Sequence, residues 1–244
     1  MLSAFVAVAA GHRTQAQNAP NVNWISSSAF APNPSNLAGS KEHPRSDPGY
    51  VDGRNIAENS VGKISLAAES GDKRCKMSPE EFAKFYPPLF DWIRTTLAAS
   101  AQVAQTVVSR EFSRLPLYFT EKTLASTKVV LVDPLPIPPL SSMGVAQFAE
   151  FERGDFDGIT YMDNVFLKPP QSNNENLYFH ELVHVIQWRL LGPDRFLFLY
   201  ANGLECFGYR QSPLETMAYD AEKAFASSTA IFNVEKLVAE KLGW

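Results

Sequence analysis

Histidine and cysteine are scarce in this chain of 244 residues, which holds four histidines and two cysteines. The cysteines, Cys75 and Cys206, lie far apart in the sequence and lack the close spacing of a cysteine zinc site. They either form one disulfide, as expected of an exported protein, or remain two thiols. The four histidines are His12, His43, His180 and His184.

An excess of positive charge and a long apolar run are also missing. The net charge is −4 and the isoelectric point is about 5.6, so the chain lacks the basic footprint of a nucleic-acid-binding protein. No apolar run approaches the roughly 20 residues that span a membrane. With 45% hydrophobic and 20% charged residues, the composition is that of a soluble globular protein.

Composition divides the chain into three segments. Residues 1–16 carry a short apolar run, typical of a secretory signal, and predict a secreted or periplasmic protein. Because no Lys or Arg precedes the run, a cytoplasmic protein is the alternative. Residues 17–75 are rich in Asn, Ser, Pro and Gly and predict a flexible or pro-segment-like arm. Residues 76–244 predict one compact domain.

Helix and strand signals alternate irregularly along the compact domain. Ser78-Pro79 followed by two glutamates predicts a helix start. Pro87-Pro88 predicts a break, after which a longer helix is expected from about Leu89 to Phe112. The segments 127–132 and 158–167 are rich in β-branched and aromatic residues and predict strands. The second is either one strand or a hairpin that turns at Asp163-Asn164. Helices with a small sheet predict the α+β class.

The most specific motif is His180-Glu181-Leu182-Val183-His184, an H-E-x-x-H pentapeptide. On a helix, side chains four residues apart share one face, with Cβ atoms roughly 5–6 Å apart, so both imidazoles can reach one zinc ion. Glu181 then points to the side of the metal where a water binds. Zinc lowers the pKa of that water to about 7, and a neighbouring carboxylate can take its proton.

The sequence around the motif predicts a helix with clear ends. Asn173 or Asn174 can cap its N-terminus, and no glycine or proline interrupts residues 177–191. Gly192-Pro193 is a stop signal. The apolar residues of this helix predict a packing face separate from the face that carries the histidines.

A catalytic zinc ion usually has three protein ligands, and no histidine follows His184. A carboxylate is therefore expected as the third ligand. Glu215 is favoured because it lies at the start of a further predicted helix. Glu205, in a segment that is either a turn or a short helical piece, is the alternative. Ser212-x-x-Glu215 is also a capping box, in which Glu215 only bonds the helix terminus.

The segment from about residue 158 to residue 225 resembles the gluzincin type of zinc metallopeptidase and, more closely, small bacterial zincin-like domains of unsettled function. The pieces that carry the resemblance are the pentapeptide, the break at Leu191-Gly192, the tyrosines Tyr200 and Tyr209, and Pro213-Leu214-Glu215 with Ala218-Tyr219. The resemblance implies a zincin-like fold around a central H-E-x-x-H helix, with zinc held by two histidines and a glutamate.

The chain departs from the thermolysin-like pattern at the residues that orient the metal ligands and stabilise the transition state. Those enzymes place an aspartate one turn after the ligand glutamate, where this chain has Tyr219. Asp220, one residue on, is a candidate to orient a ligand, and Asp163 and Asn164 are alternatives. Because no further histidine is available to stabilise a transition state, Tyr209 and Tyr219 are the candidates for that role, with Arg210 as an alternative.

These residues predict a zinc-dependent hydrolase of peptide bonds. His180, His184 and Glu215 would hold Zn²⁺, and Glu181 would act as general base on a peptide or protein substrate. The alternative is a catalytically silent zincin-like binding or scaffold domain, consistent with the missing aspartate.

Overall fold

A computed structural model describes residues 77–227 and 230–244. The predicted signal segment at 1–16 and the arm at 17–75 lie outside the described residues, as do His12, His43 and Cys75. Six α-helices and one four-stranded sheet form in the described part, which confirms the α+β class. No helix in these two ranges is long and apolar enough to cross a membrane.

Helix α1 (Pro79–Ser100) begins where the sequence predicts. Ser78 and Glu81 form a capping box, each side chain bonding the other residue's backbone N–H. The prediction of a break at Pro87-Pro88 and of a helix reaching Phe112 was wrong, because α1 runs through both prolines and ends at Ser100. Beyond that end the β-branched residues of the next segment favour extended and 3₁₀ structure, which the chain adopts from residue 105 to residue 110.

The sheet has the order β1-β2-β4-β3, with β1 (Gln105–Thr106), β2 (Lys128–Leu131), β3 (Gly158–Tyr161) and β4 (Asn164–Leu167). Strands β2 and β4 are parallel, and the other two pairs are antiparallel. The β3–β4 pair is the predicted hairpin. Its turn lies at Met162 and Asp163, one residue before the predicted position, and Met162 adopts a φ of 55°. Strand β3 therefore lies at one end of the sheet order, and it contacts the helix that carries the motif.

The motif lies on helix α4 (Glu175–Phe207), which Asn174 caps by accepting from the Leu177 backbone N–H. Gly192 interrupts this helix with φ 74° and ψ 165°, as its stop signal predicts. The chain does not leave the helix there, however. Pro193 starts a second helical half at once, because proline suits the first turn of a helix. The stacked rings of Trp188 and Phe196, 4.0 Å apart, pack across this kink.

Four further helices surround the hairpin and α4: α2 (Glu121–Ser126), α3 (Ala149–Glu152), α5 (Pro213–Ser227) and α6 (Val234–Leu242). Helix α4 packs most extensively against α5 and also contacts α1, α6 and the β3–β4 hairpin. All side chains from Tyr178 to Trp188 are consequently buried. The histidine-bearing face is therefore buried together with the apolar face, and the motif lies inside the core.

Candidate metal centre

Two histidines of α4 and one glutamate of α5 converge in the core. The Nε2 atoms of His180 and His184 lie 3.2 Å apart. Each Nε2 lies 3.4 Å from an oxygen of Glu215, His180 from Oε2 and His184 from Oε1. Ligand atoms at 2.0–2.1 Å from a tetrahedral zinc ion lie about 3.4 Å from one another. The two histidines approach different oxygens of Glu215, and one donor atom from each of the three residues lies within 4.8 Å of the other two, so the group could hold one metal ion.

Glu215 carries an unsatisfied oxygen in this cluster. The residue is only 1% exposed, and Oε2 accepts no hydrogen bond from the described residues. The other oxygen accepts from the Tyr200 hydroxyl at 2.7 Å. A buried carboxylate oxygen without a donor is costly, and a metal ion at the centre of the cluster would satisfy it. The residues present therefore fit a zinc ion.

The approach of α5 to α4 depends on small side chains and one amide. A Cβ at Gly203 would lie 2.9 Å from the Cβ of Ser212, so only glycine permits this separation. Gln187 donates from Nε2 to the Leu214 backbone carbonyl at 3.0 Å. These contacts fix the first turn of α5, and Glu215 with it, against the histidine face of α4.

Both histidines have a partner on the ring nitrogen that points away from the cluster. His180 Nδ1 lies 3.1 Å from Glu222 Oε2, and His184 Nδ1 lies 2.8 Å from Gln187 Oε1. Acceptors at Nδ1 favour a hydrogen there and leave Nε2 free to bind a metal. The two imidazoles are thus held in the tautomer and orientation that a zinc site requires.

Glu181 lies deep in the structure beside the histidines. Thr160 donates a 2.6 Å hydrogen bond to Oε2, and Trp188 Nε1 in turn holds the Thr160 backbone carbonyl at 3.2 Å. A Cβ at residue 158 would lie 2.6 Å from Oε1, so Gly158 leaves the space that this oxygen occupies. Strand β3 therefore positions both carboxylate oxygens of Glu181.

Burial and neighbouring charges shift the pKa values of Glu181, His180 and Glu215 in different directions. Burial raises the pKa of Glu181, and the two nearby histidines only partly offset this effect. Burial opposes protonation of His180, but Glu215 and Glu222 outweigh it and raise its pKa to about 10. Burial likewise opposes ionisation of Glu215, but His184 and His180 outweigh it and lower its pKa.

No protein family, characterised protein or solved structure matches the chain. The resemblance to gluzincins therefore remains a prediction from the residues of this chain and their arrangement.

Of the two candidate third ligands, the structure brings only Glu215 to the histidines. Glu205 is exposed and lies near Glu81 and the Met77 backbone. The alternative capping-box role of Glu215 is not adopted, because both its oxygens face the cluster and the Ser212 hydroxyl has no hydrogen-bond partner among the described residues.

Of the residues predicted to support the metal ligands, some lie beside the cluster and others do not. The Tyr219 ring packs on the His180 ring at 4.5 Å, and Tyr209 lines the same cavity as His184 and Glu215. Asp220 is exposed and borders a separate surface groove near the C-terminal helix. Asp163 bonds Arg189 instead, at 2.6 Å. Tyr209 and Tyr219 thus adjoin the cluster, whereas the two aspartates do not.

Sequence reasoning missed the residues that orient the ligands. Glu222 lies seven positions after Glu215, two turns along the same face of α5, and that spacing is the signal that could have found it. Gln187 lies three positions after His184 on the same helix. Thr160 carries no local signal, because it reaches the site only through the hairpin. Tyr200 belongs to the pattern of the resemblance, but no local signal assigned it to Glu215, to which it donates a hydrogen bond.

Proposed function

We propose that the protein is a zinc-dependent hydrolase of peptide bonds. The observation that supports this most is the buried group of His180, His184 and Glu215, in which each histidine Nε2 lies 3.4 Å from one oxygen of Glu215 and the two Nε2 atoms lie 3.2 Å apart. Glu181 beside it has the burial and hydrogen bonding of a proton-transfer group. Together they form a His₂Glu site with an adjoining carboxylate.

Zinc bound by these three residues would supply a Lewis acid that polarises a carbonyl oxygen and acidifies water. Glu181 then accepts a proton from the attacking water and passes it to the leaving amine. Since Thr160 donates to Oε2, Oε1 is the oxygen assigned to this transfer. Burial raises the pKa of Glu181, which makes its carboxylate a stronger proton acceptor than an exposed one.

Tyr209 is the proposed donor to the oxygen that becomes negatively charged during hydrolysis. It lines the same cavity as Glu181, His184 and Glu215. Burial and the negative charges of Glu215 and Glu181 raise the pKa of Tyr209, so its hydroxyl keeps its proton.

Export of the protein is also proposed, on two supports. The apolar run within residues 1–16 is typical of a secretory signal. Cys206 is disulfide-bonded, and disulfides persist mainly in oxidising compartments. Cys75, the other cysteine of the chain, lies outside the described residues.

The test of the metal site is elemental analysis of three purified proteins: wild type, Glu215→Gln and Glu205→Gln. We expect about one zinc ion per chain in wild type and in Glu205→Gln, and a loss of zinc in Glu215→Gln, because only Glu215 lies at the cluster. Absence of zinc from reconstituted wild type would overturn the proposal. Zinc-loaded wild type that cleaves no peptide in a broad library would favour the scaffold alternative.

A further inference from the structure

Glu181 is held by strand β3 as well as by its own helix. Thr160 donates a 2.6 Å hydrogen bond to its Oε2, and a Cβ at residue 158 would lie 2.6 Å from its Oε1. All four residues of β3 also line the largely apolar cavity that adjoins this carboxylate. A small shift of β3 would therefore change the surroundings of both carboxylate oxygens.

Strand β3 is paired along one edge only. It pairs with β4, and β4 separates it from β2 and the rest of the sheet. Both strands of this hairpin are short, with four residues each. The position of β3 relative to α4 therefore depends on contacts that lie outside the sheet.

Two consecutive residues of α4 bind the hairpin at two points. Trp188 Nε1 donates to the Thr160 backbone carbonyl at 3.2 Å, within β3. Arg189 Nε donates to Asp163 Oδ1 at 2.6 Å, in the turn. The Asp163 backbone carbonyl also accepts from the Lys128 N–H of β2 at 2.8 Å. The turn is thus held between α4 and β2.

The guanidinium of Arg189 reaches helix α2 at the same time. Its Nη1 donates to Thr123 Oγ1 at 3.0 Å, and its Nη2 donates to Ser126 Oγ at 2.8 Å. A planar guanidinium can satisfy acceptors in several fixed directions, whereas an ammonium group is a single point charge. Because the pair with Asp163 is partly exposed, its charge contributes little stability, and the main effect of these contacts is on geometry.

Arg189 makes no contact with the candidate metal ligands. Its hydrogen bonds to the described residues all go to Asp163 and to residues 123–127. An effect of Arg189 on the reaction must therefore pass through the hairpin and not through the zinc ligands.

We propose that Arg189 is a positioning residue for the reaction. It fixes the turn at Asp163, and the hairpin transmits that position to Thr160 and so to the Glu181 carboxylate. This inference rests on the proposed hydrolase, in which Glu181 is the base. Loss of Arg189 should disturb the orientation of the base while zinc stays bound.

The test is a double-mutant cycle on the zinc-loaded full chain, with wild type, Arg189→Ala, Thr160→Val and the double variant acting on one peptide that wild type cleaves. We expect kcat of each single variant to fall about 10–100-fold with KM within about twofold, because a misplaced reacting group costs rate and not binding. Since both changes disturb the same hydrogen bond, the double variant should lie within about threefold of the worse single variant. Losses that multiply would overturn the inference.

Two further variants secure the comparison. Arg94→Ala is the matched control, because Arg94 is an exposed arginine of α1 that also has an acidic partner, Asp91 at 3.9 Å. It should leave kcat and zinc content unchanged. Asp163→Ala removes the acceptor in the turn and should reproduce the loss of kcat, so the inference stays testable if Arg189→Ala does not fold. Unchanged kcat in Asp163→Ala overturns the inference and leaves the hydrolase proposal in place.

A second measurement does not depend on activity. Hydrogen–deuterium exchange of residues 158–167 should be several-fold faster in Arg189→Ala and Asp163→Ala than in wild type and Arg94→Ala, because a released turn opens at a lower free-energy cost. Equal exchange in all four proteins overturns the inference, whether or not the chain cleaves peptides. Faster exchange in a zinc-loaded chain whose wild type cleaves no peptide overturns the proposed function, and the positioning role with it.

Discussion

Glu181 and Glu215 are two buried carboxylates whose pKa values shift in opposite directions. The pKa of Glu181 is raised because burial is the dominant effect there. The pKa of Glu215 is lowered because two histidines face its oxygens. Their contacts also differ, since Thr160 donates a hydrogen bond to Glu181, whereas the Nε2 atoms of both histidines face the oxygens of Glu215. This supports Glu181 as the proposed base and Glu215 as the proposed ligand.

The role of Glu181 is testable with an isosteric change. Glu181→Gln keeps the volume and the hydrogen bond from Thr160 but cannot accept a proton. We expect unchanged zinc content and a fall in kcat of about 10²–10⁴-fold against a cleavable peptide. Glu205→Gln is the control, and it should retain both. Full activity in Glu181→Gln would contradict the mechanism.

Glu222 is expected to tune metal affinity through His180. Glu222→Ala removes the acceptor 3.1 Å from His180 Nδ1, so the imidazole loses its fixed orientation. We expect zinc affinity to fall by about 10–100-fold, measured by competition with a chelator of known affinity. Asp220→Ala is the matched control on the same helix.

Because Asp220 is exposed and away from the cluster, its removal should leave zinc affinity unchanged. An equal loss in both variants would mean that the effect comes from the charge of α5 and not from the contact with His180.

At the scale of elements, the kink in α4 connects the fold to the site. Residues 175–191 carry the histidines, and residues 193–207 carry Tyr200 and the cavity wall. A continuous straight helix would place the second half in a different direction. The sequence predicted the interruption from Gly192-Pro193, but the immediate new helix depended on packing such as the stacking of Trp188 on Phe196.

Gly192 is expected to be intolerant of a side chain for conformational reasons alone. Its φ of 74° and ψ of 165° lie in a region that is essentially restricted to glycine, although a Cβ there would meet no atom within 4 Å. We expect Gly192→Ala to lower the free energy of unfolding by about 1–3 kcal/mol, measured by urea titration.

Gly144→Ala provides the comparison, since a Cβ there also meets open space, but φ 89° and ψ 11° lie in the left-handed helical region. Its cost should be smaller than that of Gly192→Ala, because alanine visits this region at about 1–2 kcal/mol. A Gly192→Ala protein as stable as wild type would show that the kink does not need the glycine conformation.

At the scale of the whole molecule, the proposed metal site lies within the main core. Helix α4 is buried on all sides between Tyr178 and Trp188, so the cluster joins α4 to α5. A ligand that binds the folded state alone stabilises it, by about 2.7 kcal/mol at 100 times its Kd. Zinc should therefore contribute to global stability as well as to catalysis.

Removal of the metal is expected to lower the melting temperature. For a chain of this size we expect a fall in Tm of about 5–10 °C on treatment with a strong chelator, restored by added zinc. Glu215→Gln should show no zinc-dependent change in Tm. A wild-type Tm that is the same with and without zinc would contradict a site in the folded core.

Local sequence determined the capped helix, the i, i+4 spacing of His180 and His184, the hairpin before them and the glutamate at the start of α5. These features depend on neighbouring residues, and backbone geometry fixes their spacing. Tertiary structure alone decided that Glu215, and not Glu205, faces the histidines. It also placed Glu222, Thr160 and the apolar cavity at the site, because contacts between distant segments depend on how whole elements pack.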